Sequence, residues 1–348
     1  MSVSELLLAW YDAVRRDLPW RHTRDPYRIW LSEIMLQQTR TETVKAYYER
    51  FLTLFPTVAD LAHAPQEQVL KAWEGLGYYS RARNLQKAAQ VVTDVYGGAF
   101  PASYEGLLSL PGVGAYTAGA VGSIAFGLQV PAVDGNVYRV ASRFYGVRED
   151  VGRPDVQRRI RELVTADLPP QRPGDYNQAL MELGATLCRP GEPACDGCPW
   201  RDLCDAGREG DAAILPVHEK KRPPRRVDVG VCLLTHAGRV LVTRRGERML
   251  GGLYVFYLLE DETEPRRAET LLREAGFSCR FAGGLGQARH VFTHRVWEMQ
   301  LWHFVLDDAP SPALLEACGG RMVTREELDA LPLPTAMRAA AQAVRRLI

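Results

Sequence analysis

No stretch of the 348-residue chain stays apolar for the roughly 20 residues a membrane-spanning helix needs, so nothing reads as a bilayer segment. The opening residues, MSVSELLLAWYDAVRRDLPW, lack a basic leader and a small-residue cleavage site and carry Glu5 and Asp12, which argues against a secretory signal. An excess of one charge is missing too. Lys and Arg number 43 against 42 Asp and Glu, a formal net charge of +1, so bulk electrostatics lends nothing to nucleic-acid binding. Any such contact has to come from local devices, such as helix N-termini and individually placed cations. Internal repeats and low-complexity tracts are absent. With 46% hydrophobic and 24% charged residues, the composition is that of folded domains. These absences lead us to expect a soluble, monomeric, cytoplasmic protein (nucleoid-associated if bacterial) with no membrane partner.

What is present falls into two halves. To about residue 205 the apolar spacing is helical, as in Leu6, Trp10, Ala13 and Val14, or Val44, Tyr47, Tyr48 and Phe51. Asp25 followed by Pro26 is a helix start that predicts a helix to about Gln38. Further helices are predicted over 66–74, 79–96, 104–109, 115–126, 135–145, 154–167 and 175–187. Residues 206–226 lose this period and contain the basic run Lys220-Lys221-Arg222-Pro223-Pro224-Arg225-Arg226, which reads as a solvated linker, with a nuclear address or a phosphate contact as the alternatives. From 227 the pattern alternates. VDVGVCLLT and RVLVTRR flank His236-Ala237-Gly238 as a hairpin, and LYVFYLL and EMQLWHFVL are further strands. Helices are expected at 265–275, at 325–330 behind a Thr324/Glu327 capping box, and at 335–347. The domains are therefore 1–205, a linker 206–226, and 227–348.

Seven cysteines in a chain that reads as intracellular do not suggest a disulfide framework. Four of them form one cluster, Cys188-x6-Cys195-x2-Cys198-x5-Cys204. Cys232, Cys279 and Cys318 are scattered and read as buried or incidental thiols. Four thiolates on one short loop can wrap a compact metal centre, and structural zinc accepts the same four ligands. Zinc sites, however, usually pair two close knuckles across a longer insert, and only one Cys-x2-Cys is present.

A second motif is Leu110-Pro111-Gly112-Val113-Gly114-Ala115-Tyr116-Thr117. Between two helices, Gly112 and Gly114 permit a tight hairpin and let backbone N–H groups approach a phosphate. Alone it could be any glycine-rich helix–helix turn. It is followed by Val133-Asp134-Gly135-Asn136, where Asp134 is at least a helix cap. Glu33 lies in the otherwise apolar helical run Trp30-Leu-Ser-Glu-Ile-Met-Leu. It is either an ordinary surface glutamate or, if buried, a carboxyl whose pKa is raised toward neutrality.

Taken together these motifs resemble the helix-hairpin-helix DNA glycosylases of the endonuclease III superfamily. Within it, Trp30–Thr39 and Gly75-Leu-Gly-Tyr-Tyr-Ser-Arg81 are similar to the MutY-type adenine DNA glycosylases. The resemblance implies an all-α glycosylase core with a [4Fe–4S] loop held by Cys188, Cys195, Cys198 and Cys204, in preference to zinc. It also implies an α+β Nudix-like C-terminal domain, matched at Gly251-Gly-Leu-Tyr254 and at Arg289-His-Val-Phe-Thr-His294.

The function implied is base-flipping removal of adenine opposite 8-oxoguanine or guanine in double-stranded DNA. Glu33 would be the general acid and Asp134 the stabiliser of the positive sugar, with Tyr116 and Asn136 orienting them. Arg21, Gln38, Thr39, Leu76, Tyr78, Gly112 and Gly114 would contact the duplex, and Phe292, Thr293 and His294 would read the opposite guanine. The family has serine where Thr293 stands. Lyases of the superfamily carry a lysine where Tyr116 stands, and a tyrosine cannot form an imine, which implies a monofunctional enzyme. The rivals are an endonuclease III-like glycosylase/lyase for damaged pyrimidines, opposed by Tyr116 and the second domain, and a non-catalytic iron–sulfur DNA-binding protein, which needs neither Glu33 nor Asp134. A Nudix pyrophosphatase is opposed by the segment around Glu274, which lacks the paired glutamates that hold magnesium.

Overall fold

A computed structural model describes residues 1–219, 223–246 and 249–348. They group into two compact units, 1–63 with 84–220 and 64–83 with 221–348. Residues 64–83 thus group with the C-terminal half, although sequence places them in the middle of the helical region. Residues 220–222 of the basic run lie outside the described residues. Among the described residues no helix is long and apolar enough to cross a membrane.

The first unit is helical, as its periodicity predicts. Asp25 accepts from the Tyr27 N–H at 2.9 Å, and Pro26 occupies the first position of the Pro26–Leu36 helix. The helices Ala115–Phe126, Gly135–Phe144, Pro154–Ala166 and Pro173–Thr186 fall within two residues of expectation. Leu7, Tyr11, Val137, Val140, Ile160, Tyr176 and Leu183 form their shared core, each buried aliphatic side chain contributing about 1.5–3 kcal/mol. Trp200, from the cysteine loop, enters the same core. Its ring packs 4.3 Å from that of Phe144 and its Nε1–H donates to the Val3 carbonyl at 2.9 Å.

Residues 206–219 do not behave as the free linker their composition suggests. Ala206 and Leu215 are buried, Asp205 and Asp211 both pair with Arg148, and Val217 forms a β-bridge with Asp150. Two apolar anchors and two aspartates facing one arginine are enough to dock the segment.

In the second unit the strands are β1 Arg225–His236, β2 Arg239–Arg244, β3 Tyr254–Val255, β4 Tyr257–Glu260, β5 Cys279–Val291, β6 Arg295–Leu306 and β7 Gly320–Val323. They form one sheet of order β3-β2-β1-β6-β5, with β4 also on β1 and β7 on β2. β1 and β6 are parallel, pairing Val227 with Trp297 and Thr235 with Val305. The β1–β2 turn is the two-residue Ala237-Gly238, both at positive φ, which suits a tight hairpin.

The alternation along β1 feeds two cores. Val227, Val229, Val231 and Leu233 pack with Met337, Ala340 and Val344. Cys232 and Leu234 pack on the other face with Ala268 and Leu272 of the Pro265–Glu274 helix. A strand covered on both faces reads as a continuous apolar run, as VGVCLL does. Three features depart from expectation. LYVFYLL is split into β3 and β4, 279–291 is a strand although glycines at 283, 284 and 286 hide it, and Gly320–Val323 adds β7.

Candidate active site

The hairpin joins Tyr104–Leu108 to Ala115–Phe126 through a left-handed Gly112, φ +75°. A Cβ there would sit 2.6 Å from the Cβ of Asn84, so glycine is required by both conformation and space. Gly114 caps the following helix and is exposed, leaving a helix N-terminus open to an anion.

The Pro26–Leu36 helix packs against Ala115–Phe126 and is buried from Ile29 to Met35, which brings Glu33 down to 5% exposure. Tyr116, in the first turn of the second helix, donates its hydroxyl hydrogen to Oε2 of Glu33, and its oxygen also lies 3.2 Å from Sδ of Met181. Burial pushes the Glu33 carboxyl up to about 7. The Tyr116 hydrogen bond and Arg21 oppose the rise, and the charge of Asp134 adds to it. Tyr116 itself is driven well above its usual value by burial and by the two carboxylates, so it remains a neutral donor.

Asp134 caps the Gly135–Phe144 helix. Its Oδ1 accepts from the Val137 N–H at 2.8 Å and its Oδ2 from Nδ2 of Asn136 at 2.9 Å. Burial raises its pKa while these bonds hold it down. Two carboxyls that repel one another titrate as a pair: ionised Asp134, stabilised by a helix start, keeps the proton on Glu33.

Behind Asp134 runs a chain of bonds that sequence reading missed. Oδ1 of Asn136 accepts from Nη2 of Arg139 at 2.9 Å, and Nε of Arg139 donates to the Cys188 carbonyl at 2.9 Å. One turn later Arg143, 1% exposed, donates to the carbonyls of Arg189, Gly191 and Leu215 and lies 3.3 Å from Sγ of Cys188. Two arginines spaced i, i+4 among Val137, Val140 and Ala141 were the available signal.

The four cysteines are unbridged and line one cavity of about 430 Å3 together with Arg143 and Arg201. Among the described residues no three His, Cys, Asp or Glu side chains close on a point as a single ion requires. Four sulfurs spread around a cavity suit a larger, multi-atom cationic centre. Burial pushes the Cys198 thiol up to about 11, the Trp200 N–H opposing and Cys188, Cys204 and Cys195 adding. Only a cation among them would make four thiolates stable there.

Arg21, expected to touch DNA, forms a 2.7 Å ion pair with Glu182, which Arg16 also grips at 2.7 Å. Burial alone would raise Glu182, but the two arginines hold it down at about 2. Gln38, exposed at φ +59°, and Thr39 follow the Glu33 helix.

Within the second unit Leu76 is buried, not projecting, whereas Tyr78 is 49% exposed. The Gly75–Tyr78 turn has left-handed φ at Gly75, Gly77 and Tyr78. The Trp73 indole and the Arg81 guanidinium bond its carbonyls and hold it in shape. The Tyr78 hydroxyl lies 3.4 Å from Oγ1 of Thr293. Phe292, Thr293 and His294 form the β5–β6 loop. The Phe292 ring rests on Trp297, while Thr293 and His294 are exposed. In the Nudix-like part the carboxylates near the Pro265–Glu274 helix are engaged, Glu262 with Arg267 and Glu269 with Arg273.

A buried carboxyl held by a hairpin-borne hydroxyl, beside a helix-capping aspartate, belongs to the helix-hairpin-helix base-excision enzymes. Residues 31–166 match the family described as "HhH-GPD superfamily base excision DNA repair protein", and residues 230–343 match "NUDIX domain". The adenine DNA glycosylase of Mus musculus is 36% identical over 391 residues, covering 95% of this chain and 76% of its own. A thermostable thymine-DNA glycosylase has 34% identity and TM-score 0.55, covering 59% of this chain and 95% of its own. An endonuclease III trapped as a covalent intermediate with DNA has 25% identity and TM-score 0.52, covering 60% and 94%. The chain belongs to the adenine DNA glycosylase family.

Proposed function

We propose that the protein hydrolyses the N-glycosidic bond of adenine opposite 8-oxoguanine or guanine in duplex DNA and leaves the backbone uncut. The observation that carries this reading is Glu33, buried and held at about 7 beside the Tyr116 hydroxyl, a proton donor at neutral pH. Adenine, turned out of the stack, takes that proton on a ring nitrogen as its bond to C1′ breaks. The bonding pair leaves with the base and the sugar becomes an oxocarbenium ion. Asp134, ionised at its helix start, stabilises that charge through space. Asn136 holds the Asp134 carboxylate in place.

Cys188, Cys195, Cys198 and Cys204 are the residues that would hold a [4Fe–4S] cluster. When bound, it supplies positive charge that fixes the loop, a structural contribution. The open helix start at Gly114 suits a phosphate, and the likeness to a DNA-bound endonuclease III supports a duplex partner. Phe292, Thr293 and His294, with Tyr78, would read the opposite guanine.

The test is incubation with labelled duplexes bearing adenine opposite 8-oxoguanine, adenine opposite guanine, or an oxidised pyrimidine, with strand breaks scored with and without alkali. Alkali-dependent breaks at adenine are expected. Alkali-independent cutting at the pyrimidine would defeat the reading.

A further inference from the structure

The segment 64–83 is fastened to the C-terminal domain by side-chain to main-chain bonds on both sides of its turn. Before the turn, Nζ of Lys71 donates to the carbonyls of Asp329 and Leu331 at 2.7 and 3.1 Å, at the end of the Arg325–Ala330 helix. Glu67 accepts from the Tyr254 hydroxyl at 2.6 Å. After the turn, the Tyr79 hydroxyl donates to the Leu333 carbonyl at 3.2 Å, and Arg83 donates to the Gly251 carbonyl. Between these fastenings stands Tyr78, at φ +46° and facing Thr293. A non-glycine residue holds a left-handed conformation only where its surroundings fix it. Bonds to main-chain carbonyls fix position in a way that exposed ion pairs do not, because the acceptor is itself immobile.

We infer that residues 64–83 are the specificity arm of the C-terminal domain, and that Lys71 and Tyr79 are positioning residues that set the choice of base opposite adenine by holding Tyr78 against Thr293. The inference rests on the proposed guanine-reading role of Phe292, Thr293 and His294. Neither Lys71 nor Tyr79 belongs to the unit that carries Glu33 and Asp134.

The test is single-turnover adenine release from adenine opposite 8-oxoguanine and opposite guanine, using full-length protein, Lys71→Met, Tyr79→Phe, the double variant and Thr293→Val. Removing these bonds should lower the ratio of the two rates about threefold for either single variant and about tenfold for the double. The rate opposite guanine should stay within about twofold, because the catalytic carboxyls are untouched. Amide exchange over 75–78 should quicken in step, and Lys71→Arg should restore the ratio, since a guanidinium also reaches carbonyls. A double variant with an unchanged ratio, while Thr293→Val lowers it, overturns the inference and leaves the reading of guanine standing. An equal fall in both rates overturns it as a merely structural effect. If Thr293→Val and the double variant both leave the ratio intact, the guanine-reading role fails and the inference falls with it.

Discussion

Tyr116 gives its hydroxyl hydrogen to Glu33, and the two groups are carried by different helices, the tyrosine in the first turn after the hairpin and the glutamate three residues before the end of its own helix. Of the influences on Glu33, this bond is the main one that lowers its pKa. Tyr116→Phe removes it and leaves the burial, so the Glu33 pKa should move up from about 7. The alkaline limb of the single-turnover pH–rate profile should then shift to higher pH, by roughly one unit. A downward shift would mean that the hydroxyl supports the protonated acid.

Glu33 also weakens the fold. Its folded pKa of about 7 lies above the ordinary 4.5, so between these values the folded state keeps a proton that the unfolded state has lost. Stability therefore falls as pH rises through that window, and the deficit is complete above it, roughly 3 kcal/mol. Glu33→Gln keeps an acceptor for Tyr116 and never ionises. It should abolish adenine release, by about 10²–10⁴-fold, while melting at a higher temperature than the parent at pH 8 and at the same temperature at pH 4. Equal melting curves at pH 8 would show that the carboxyl is not buried as described.

Arg143 ties the cysteine loop together through three carbonyls from inside the core. Protein prepared without oxygen should be brown, with about four irons per chain and acid-labile sulfide. Arg143→Met leaves those carbonyls without donors, at a cost of about 1–3 kcal/mol each, and should release most of the iron. Colourless protein with stoichiometric zinc would refute the cluster.

Tyr116 occupies the position where a lyase would need an amine. Borohydride added during turnover should trap less than about a tenth of the adduct that a lyase gives, since no imine forms. Abundant trapping through a lysine would reverse this.

What sequence could and could not tell follows from where the signal lies. Caps and periodicity are local, so Asp25-Pro26, the Ala115–Phe126 helix and the Thr324/Glu327 box were legible, and both reciprocal bonds of that box are formed. Strand β5 was not, because its glycines break the alternation and its two bulges shift its register against β6. Glu33 could be suspected, but its burial depends on packing against a helix more than eighty residues away in the chain. Glu182, 1% exposed and held by Arg16 and Arg21, gave no local sign, nor did the Asn136–Arg139–Cys188 bonds. Each is a meeting of residues that are far apart in sequence.

The chain visits the second unit twice, first at 64–83 and again from 221 onward. Covalent order and spatial order therefore disagree, and a single cut after residue 219 cannot yield two self-sufficient proteins. The amino-terminal fragment would carry a strip cut off from its host, with Lys71 and Tyr79 facing water. The carboxy-terminal fragment would lack a piece of its own surface. Added back in trans, the second fragment should recognise the first through that strip alone, so the two halves can be handled as a reconstitutable pair, with 64–83 as the built-in adaptor.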